Sequence, residues 1–346
     1  MRRGDLYALL FGIGICLVLL AVAELAAPLF EEEGPPVAMT YEDEYWQMDT
    51  SGIAKPAPNG EYRSASRDTV SGKLIYDVVY RTDDFGRRRA DVPGRERRDE
   101  FLLCFGCSFM YGEGLPEEET IPFLLASLSP GFMPYNYAFH GHGPSEMLAK
   151  MRSGTLRSEV PEEHGTLVYV FIDAHILRTI GSMRIATSWG KNRPYFRTAG
   201  DGAIVRQGTF TTGRPVVSRL YRLASKSRLL RALGVDLPIA IMERHVSFTA
   251  QIIAESRRAF SEQFPGERFL VVIYPGTRHG ARLAELLRME GVECLDCSGL
   301  FDRSDPATWL SPLDQHPNGR SNEILARRIA PVLRGSETDP DTARRS

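Results

Sequence analysis

The chain has 346 residues, 43% hydrophobic and 25% charged, enough for one sizeable core with accessories or for two modest domains. A formal charge of -2 supplies no basic field of the kind that neutralises a phosphate backbone, so no nucleic acid partner is expected. Short clusters such as Arg87, Arg88 and Arg89 read as a solvated face.

The first elements differ from the rest. After Arg2 and Arg3, the stretch from Leu6 to Ala23 carries no charge and reaches the lower edge of what spans a bilayer. Arginines before it and Glu31, Glu32 and Glu33 after it place the short N-terminus in the cytoplasm and everything later outside. The expectation is a single-pass transmembrane anchor at 1–30 with an extracytoplasmic domain, periplasmic in a Gram-negative cell. A cleaved signal peptide stands as the alternative, since Ala21 and Ala23 have the small-residue spacing that signal peptidases accept. The apolar run exceeds the roughly 7–15 residues usual for that purpose. Cys16 follows Ile15 inside the run and reads as lipid-buried.

Residues 31–98 read as a linker with an accessory strand. From Pro35 to about Ser71, Pro, Gly, Ser, Tyr and acidic residues alternate without a sustained period, which predicts a tether. Leu74 to Arg81 mixes β-branched and aromatic residues and predicts a strand.

From 99 to 334 apolar runs alternate with helical stretches. Phe101–Gly106, Thr166–Asp173 and Arg268–Gly276 are nearly continuous apolar strands of the kind covered on both faces. Weaker strands follow at Tyr135–Phe139 and Val292–Ser298. Between them lie helices with Thr120 and Ser145 as expected N-caps, a long helix from Ser247 to Phe264, one ending near Gly291, and a last one after Asn318. Such β–α alternation predicts an α/β fold with a doubly wound parallel sheet, whose ligands bind beyond the carboxyl ends of the strands. An insertion at about 176–245 breaks the rhythm with a β-hairpin turning at Asp201-Gly202 and then basic amphipathic helices. It reads as a lid or substrate platform, or as a packing decoration. Residues 335–346 read as a disordered tail.

Cys104/Cys107 and Cys294/Cys297 form two C-x-x-C pairs, a spacing that zinc sites use. Here both pairs lie along or just after strands, where residues three apart point to opposite faces, so buried thiols are the simpler reading and no metal is expected. An extracytoplasmic setting leaves a disulfide open.

Ser108 directly follows the first core strand, which sets a hydroxyl at the carboxyl edge of the sheet. At the far end of the chain, Asp314 and His316 precede the last helix. His316 has the chemistry to take the proton of Ser108 as general base, with Asp314 fixing its tautomer. The turn around Ser108 lacks a Lys-Ser/Thr pair, so its glycines make no nucleotide fingerprint.

The stretch GCSFMYG after a strand, the segment YNYAFHGHGPSEML and the DQHPN leading into a helix together resemble the SGNH (GDSL-like) hydrolases. The resemblance spans about Phe101 to Leu333, outside the hairpin insertion. It implies a flavodoxin-like sheet, no cofactor, and hydrolysis or transfer of ester groups, often O-acetyl on carbohydrates. It makes Ser108 the nucleophile, His316 the base and Asp314 its orienter, with the N–H groups of Ser108 and Gly141 in the oxyanion hole. His140 and His142 flank Gly141 and read as loop histidines that could reach substrate.

Three departures qualify the resemblance. Cys107 stands where the family has an acid before the serine. A single residue, Gln315, separates Asp314 from His316 where the family has two, leaving Asp302 or Asp305 as alternative orienters. The third block usually supplies an asparagine, but the chain has FIDAHILR there, so His175, or Asp173, would take that place. A histidine N–H donates to an oxyanion, whereas a carboxylate repels it. The expected partners are an acylated small molecule or glycan and the membrane. The alternative is an SGNH-fold glycan-binding or assembly subunit with weak or absent turnover.

Overall fold

The computed structural model describes residues 3–30, 37–42 and 44–335. The expected disordered tail from 336 onward and the acidic Glu31–Gly34 stretch lie outside the described residues. The chain divides into a smaller unit, Met1–Gly34, Gly181–Asn192 and Thr209–Ala240, and a larger one, Pro35–Ile180, Arg193–Gly208 and Ile241–Ser346.

In chain order the strands used below are β1 (Val37–Tyr41), β2 (Glu61–Asp68), β3 (Leu74–Arg81), β4 (Glu100–Phe105), β5 (Phe132–Asn136), β6 (His164–Phe171), β7 (Pro194–Thr198), β8 (Ile204–Thr209), β9 (Arg268–Ile273), β10 (Glu293–Asp296), β11 (Trp309–Ser311) and β12 (Asp314–Pro317). The helices used below are α1 (Arg3–Ala26), α2 (Ser108–Tyr111), α3 (Ile121–Leu128), α4 (Pro144–Arg152), α5 (Ala174–Ile180), α6 (Met183–Thr187), α7 (Pro215–Ala224), α8 (Arg228–Ala232), α9 (Glu243–Gln263), α10 (Gly280–Met289) and α11 (Gly319–Leu333).

The centre of the larger unit is a five-stranded sheet in the order β10-β9-β6-β4-β5, parallel throughout. Numbered by chain order within the sheet, this is the flavodoxin-like 2-1-3-4-5 arrangement. Side chains alternate across it. Phe101, Leu103 and Phe105 join Tyr169, Phe171, Val271 and Ile273 on one face, where α4, α9 and α10 cover them. Leu102, Cys104, Val168, Val170, Leu270 and Val272 point to the other face, under α3 and α11. Burial on both faces explains why these strands read as unbroken apolar runs, each fully buried large side chain contributing about 1.5–3 kcal/mol.

The tether expected from Pro35 to Ser71 is folded where described. β1, β2 and β3 form an antiparallel sheet, and Trp46–Met48 pairs with Ala54–Pro56. The inward positions of β2 include Ser64 and Ser66, both fully buried, so polarity does not alternate with exposure and the strand is hidden from a hydrophobicity reading. The expected cap at Ser145 is displaced as well. Pro144 opens α4, and Gly143 is the cap residue, its N–H donating to Glu146 Oε2 at 2.9 Å.

The hairpin forms as expected, β7 against β8 with Gly202 at φ 87°. It belongs to the larger unit, whereas α6, α7 and α8 belong to the smaller one. Cys104, Cys107, Cys294 and Cys297 are all buried.

Candidate active site

β4 and β6 are neighbours in the sheet, yet the chain leaves β4 toward β5 on one side and reaches β6 on the other. A crevice opens at such a reversal, beyond the carboxyl ends of the strands. Ser108 stands there, at the start of α2. Its approach depends on Gly106, whose φ of 155° lies in the range that favours glycine; a Cβ there would come within 2.9 Å of Met110 Cβ. The turn then closes through Gly112 at φ 84°, whose N–H donates to the carbonyl of Ser108 at 2.9 Å.

From the other end of the chain, β12 pairs with β11 and carries Asp314 and His316. In an extended segment residues two apart point to the same face, so the single intervening residue Gln315 suffices to bring carboxylate and imidazole together. Asp314 Oδ1 accepts from the backbone N–H of His316 at 3.1 Å and lies 2.6 Å from its Nδ1. Nε2 of the same ring lies 2.8 Å from Ser108 Oγ. With Asp314 accepting from Nδ1–H, Nε2 is left to face the hydroxyl. Asn318 holds this segment in place: its Oδ1 accepts from the N–H of Ser321, and its Nδ2 donates to the carbonyls of Ala307 and Trp309. Asp302 is engaged with Ser304, and Asp305 accepts from the N–H of Ala307; neither is in the hydrogen-bonded chain.

One participant escaped the sequence reading. Glu113, between Gly112 and Gly114 in the turn after α2, is buried, with Oε2 at 2.6 Å from His140 Nδ1 and 3.4 Å from His316 Nε2. Tyr41 donates to its Oε1 at 2.6 Å. Burial alone would raise its pKa, but His140 and His316 outweigh that and hold the carboxyl down to about 2. The reciprocal effect falls on His316. Burial disfavours its charge, but Glu113 and Asp314 together push its pKa up to about 9. A lone glutamate in a Gly-Glu-Gly turn carries no signal of this in the sequence, because its partners come from Tyr41, His140 and His316.

Gly141 sits at φ 68° in the loop after β5, where a side chain would be strained. The loop is held by Arg193, which donates to the His140 carbonyl at 3.1 Å and to Glu146 at 2.7 Å, and by Arg178, which donates to the His142 carbonyl at 2.9 Å. Both flanking histidines are buried. His140 bridges Glu113 and the Tyr45 hydroxyl, and His142 donates from Nε2 to the Ala54 carbonyl at 2.7 Å, its pKa held well below 6.5 by burial and by Arg193.

His175 lies in the first turn of α5. It is wholly buried, its ring against Tyr169 and Phe171 and its Nδ1 at 2.6 Å from the Tyr169 hydroxyl. Nε2 has no partner among the described residues. Asp173 accepts from the backbone N–H groups of Arg278 and His279, which ties the end of β6 to the loop after β9.

No family model matches the chain, and no curated protein matches it. Among solved structures it is similar to a lipolytic protein of the G-D-S-L family from Veillonella parvula, at 10% identity and a TM-score of 0.38, covering 68% of this chain and 98% of that one. It is similar to an acetyl xylan esterase from Butyrivibrio proteoclasticus at 11% identity and a TM-score of 0.42, covering 88% and 85%. A family two carbohydrate esterase from Cellvibrio japonicus gives 9% identity and a TM-score of 0.40, covering 87% and 98%.

Proposed function

We propose that this protein is a serine ester hydrolase or acyltransferase of SGNH type, tethered to a membrane by α1, with its site outside the cytoplasm and an O-acylated carbohydrate or lipid-linked sugar as substrate. The observation that carries the reading is the hydrogen-bonded chain from Ser108 Oγ through His316 to Asp314. A length of apolar helix near the N-terminus, Leu10–Phe30, supports the tether by length and composition.

The geometry fits acyl transfer in two halves. Ser108 Oγ attacks the ester carbonyl while His316 Nε2 takes its proton. The tetrahedral intermediate then expels the alcohol, which leaves with that proton, and an acyl–Ser108 ester remains. Water or a sugar hydroxyl repeats the attack, with His316 returning its proton to Ser108. The N–H groups of Ser108 and Gly141 are the proposed oxyanion donors. A third donor would be His175 Nε2–H, which has no partner among the described residues and keeps its proton while Nδ1 accepts from the Tyr169 hydroxyl. Losing one such donor raises a barrier by about 2.7–4 kcal/mol, so two donors alone give a slower enzyme.

A second reading, a glycan-binding subunit without turnover, is favoured by the Glu113 carboxylate, which lies beside the imidazole in a place where negative charge disfavours an oxyanion. Acetate release from acetylated sugars and from an activated acetyl ester separates the two. The esterase reading expects turnover by wild type that falls by roughly 10³-fold or more in Ser108→Ala. Folded wild type that binds acetylated glycan and releases no acetate would favour the second reading.

A further inference from the structure

The smaller unit contains a helix built inside out. On α7, Val216, Leu220 and Leu223 recur at i, i+4 and i+7, which makes one stripe, and they are 71%, 59% and 61% exposed. On the opposite side Ser218 is buried, and its hydroxyl donates to the Phe210 carbonyl at 2.5 Å. A helix in water hides its leucines and shows its serines. Here the order is reversed, with Arg219 and Arg222 bordering the apolar stripe.

Two further observations say what covers that stripe. First, charge: from Thr209 to Ala240 the chain carries Arg214, Arg219, Arg222, Lys226, Arg228 and Arg231 against a single acid, Asp236, although the whole protein is at -2. Second, depth: Asp5 and Glu24 bracket the charge-free run Leu6–Ala23, which at about 1.5 Å per residue covers about 27 Å, close to the ~30 Å hydrocarbon thickness of a bilayer. Glu24 is the first charged residue after that run. Its carboxylate accepts from the Ser227 hydroxyl at 2.8 Å and from the N–H groups of Arg228 and Leu229 at 2.5 and 3.1 Å. The first turn of α8 is thus fixed at the end of the apolar run, and only three residues separate α7 from α8.

We propose that α7 lies in the plane of the membrane interface, its Val216/Leu220/Leu223 stripe in the acyl boundary and its arginines among anionic headgroups, so that the smaller unit is an interfacial platform for an anionic lipid leaflet. An apolar stripe beside a basic border is the pattern that such helices use. Basic residues close to an anionic surface are drawn to it. The proposal takes α1 as a membrane anchor, and the experiment reads the two separately.

Spin-label accessibility on the full-length chain in nanodiscs tests it. Cys16 is exposed while the other four cysteines are buried, so a nitroxide on wild type reports α1 directly. In a Cys16→Ser background, labels at Leu220→Cys, Leu223→Cys and Arg222→Cys then report α7, and Val216→Cys serves if either leucine variant fails to fold. With phosphatidylglycerol present, the ratio of oxygen to nickel-chelate relaxation at 220 and 223 should be several-fold above that at 222, and it should fall in pure phosphatidylcholine. Equal ratios at the three positions would overturn the platform, and so would labels at 220 and 223 shielded from both reagents, the signature of a protein partner or a second copy. A water-accessible Cys16 label would refute the anchor while leaving the platform to be decided by the α7 labels.

Discussion

Glu113 Oε2 lies 3.4 Å from Nε2 of His316, the nitrogen that faces Ser108 Oγ at 2.8 Å. The imidazole is therefore held between two carboxylates, with Asp314 on Nδ1. Both favour the imidazolium, which forms when the serine is deprotonated, but they also favour it before reaction.

With the His316 pKa at about 9, the imidazole proposed as base is mostly protonated at neutral pH. We expect kcat/KM for ester hydrolysis to rise about tenfold per pH unit up to about 9. Glu113→Gln removes the nearer negative charge from Nε2 and should shift this limb down toward 6.5. A pH–rate profile of both proteins checks it, and an unmoved limb would separate Glu113 from the base.

The same pair links stability to pH. The folded pKa of His316 lies above its ordinary 6.5, so its contribution is complete below about 6.5 and is lost as pH rises through about 9. Melting temperatures of wild type should fall across that window, and those of Glu113→Gln should fall less. Parallel curves would contradict the coupling.

Asp314→Asn leaves the ring in place but replaces the acceptor at Nδ1 with a group that also tolerates the wrong tautomer. Turnover should fall by about 10³–10⁴-fold. Asp302→Asn and Asp305→Asn should stay near wild type, because their carboxylates serve local turns. Comparing kcat for the three variants distinguishes the orienter.

Gly112 closes the turn behind the serine at φ 84°, and a Cβ there would meet Thr120 Cγ2 at 2.5 Å. Gly112→Ala should cost about 1–2 kcal/mol from the left-handed backbone alone, more with the clash, read as a shifted denaturation midpoint. An unchanged midpoint would show that the turn adapts freely.

The three central strands were legible because burial on both faces leaves an apolar run, as in Phe101–Phe105, whereas the edge strand expected at Tyr135–Phe139 lies earlier, at Phe132–Asn136. Ser108, Asp314 and His316 were legible because they bracket the sheet at its two chain ends. The accessory sheet was not, since its inward positions include Ser64 and Ser66. Glu113 stayed hidden for a related reason: its role depends on Tyr41, His140 and His316, scattered along the chain and joined only by folding. The spacing of Asp314 and His316 looked like a departure in a loop, but in the extended β12 it places both on one face.

Mass spectrometry of the full-length protein after reaction with a fluorophosphonate tests the central claim most directly. The account predicts one adduct, on the peptide carrying Ser108, formed faster as pH rises and absent from Ser108→Ala and strongly reduced in His316→Ala. Folded wild type left unlabelled at pH 9, or an adduct that persists in Ser108→Ala, would contradict it.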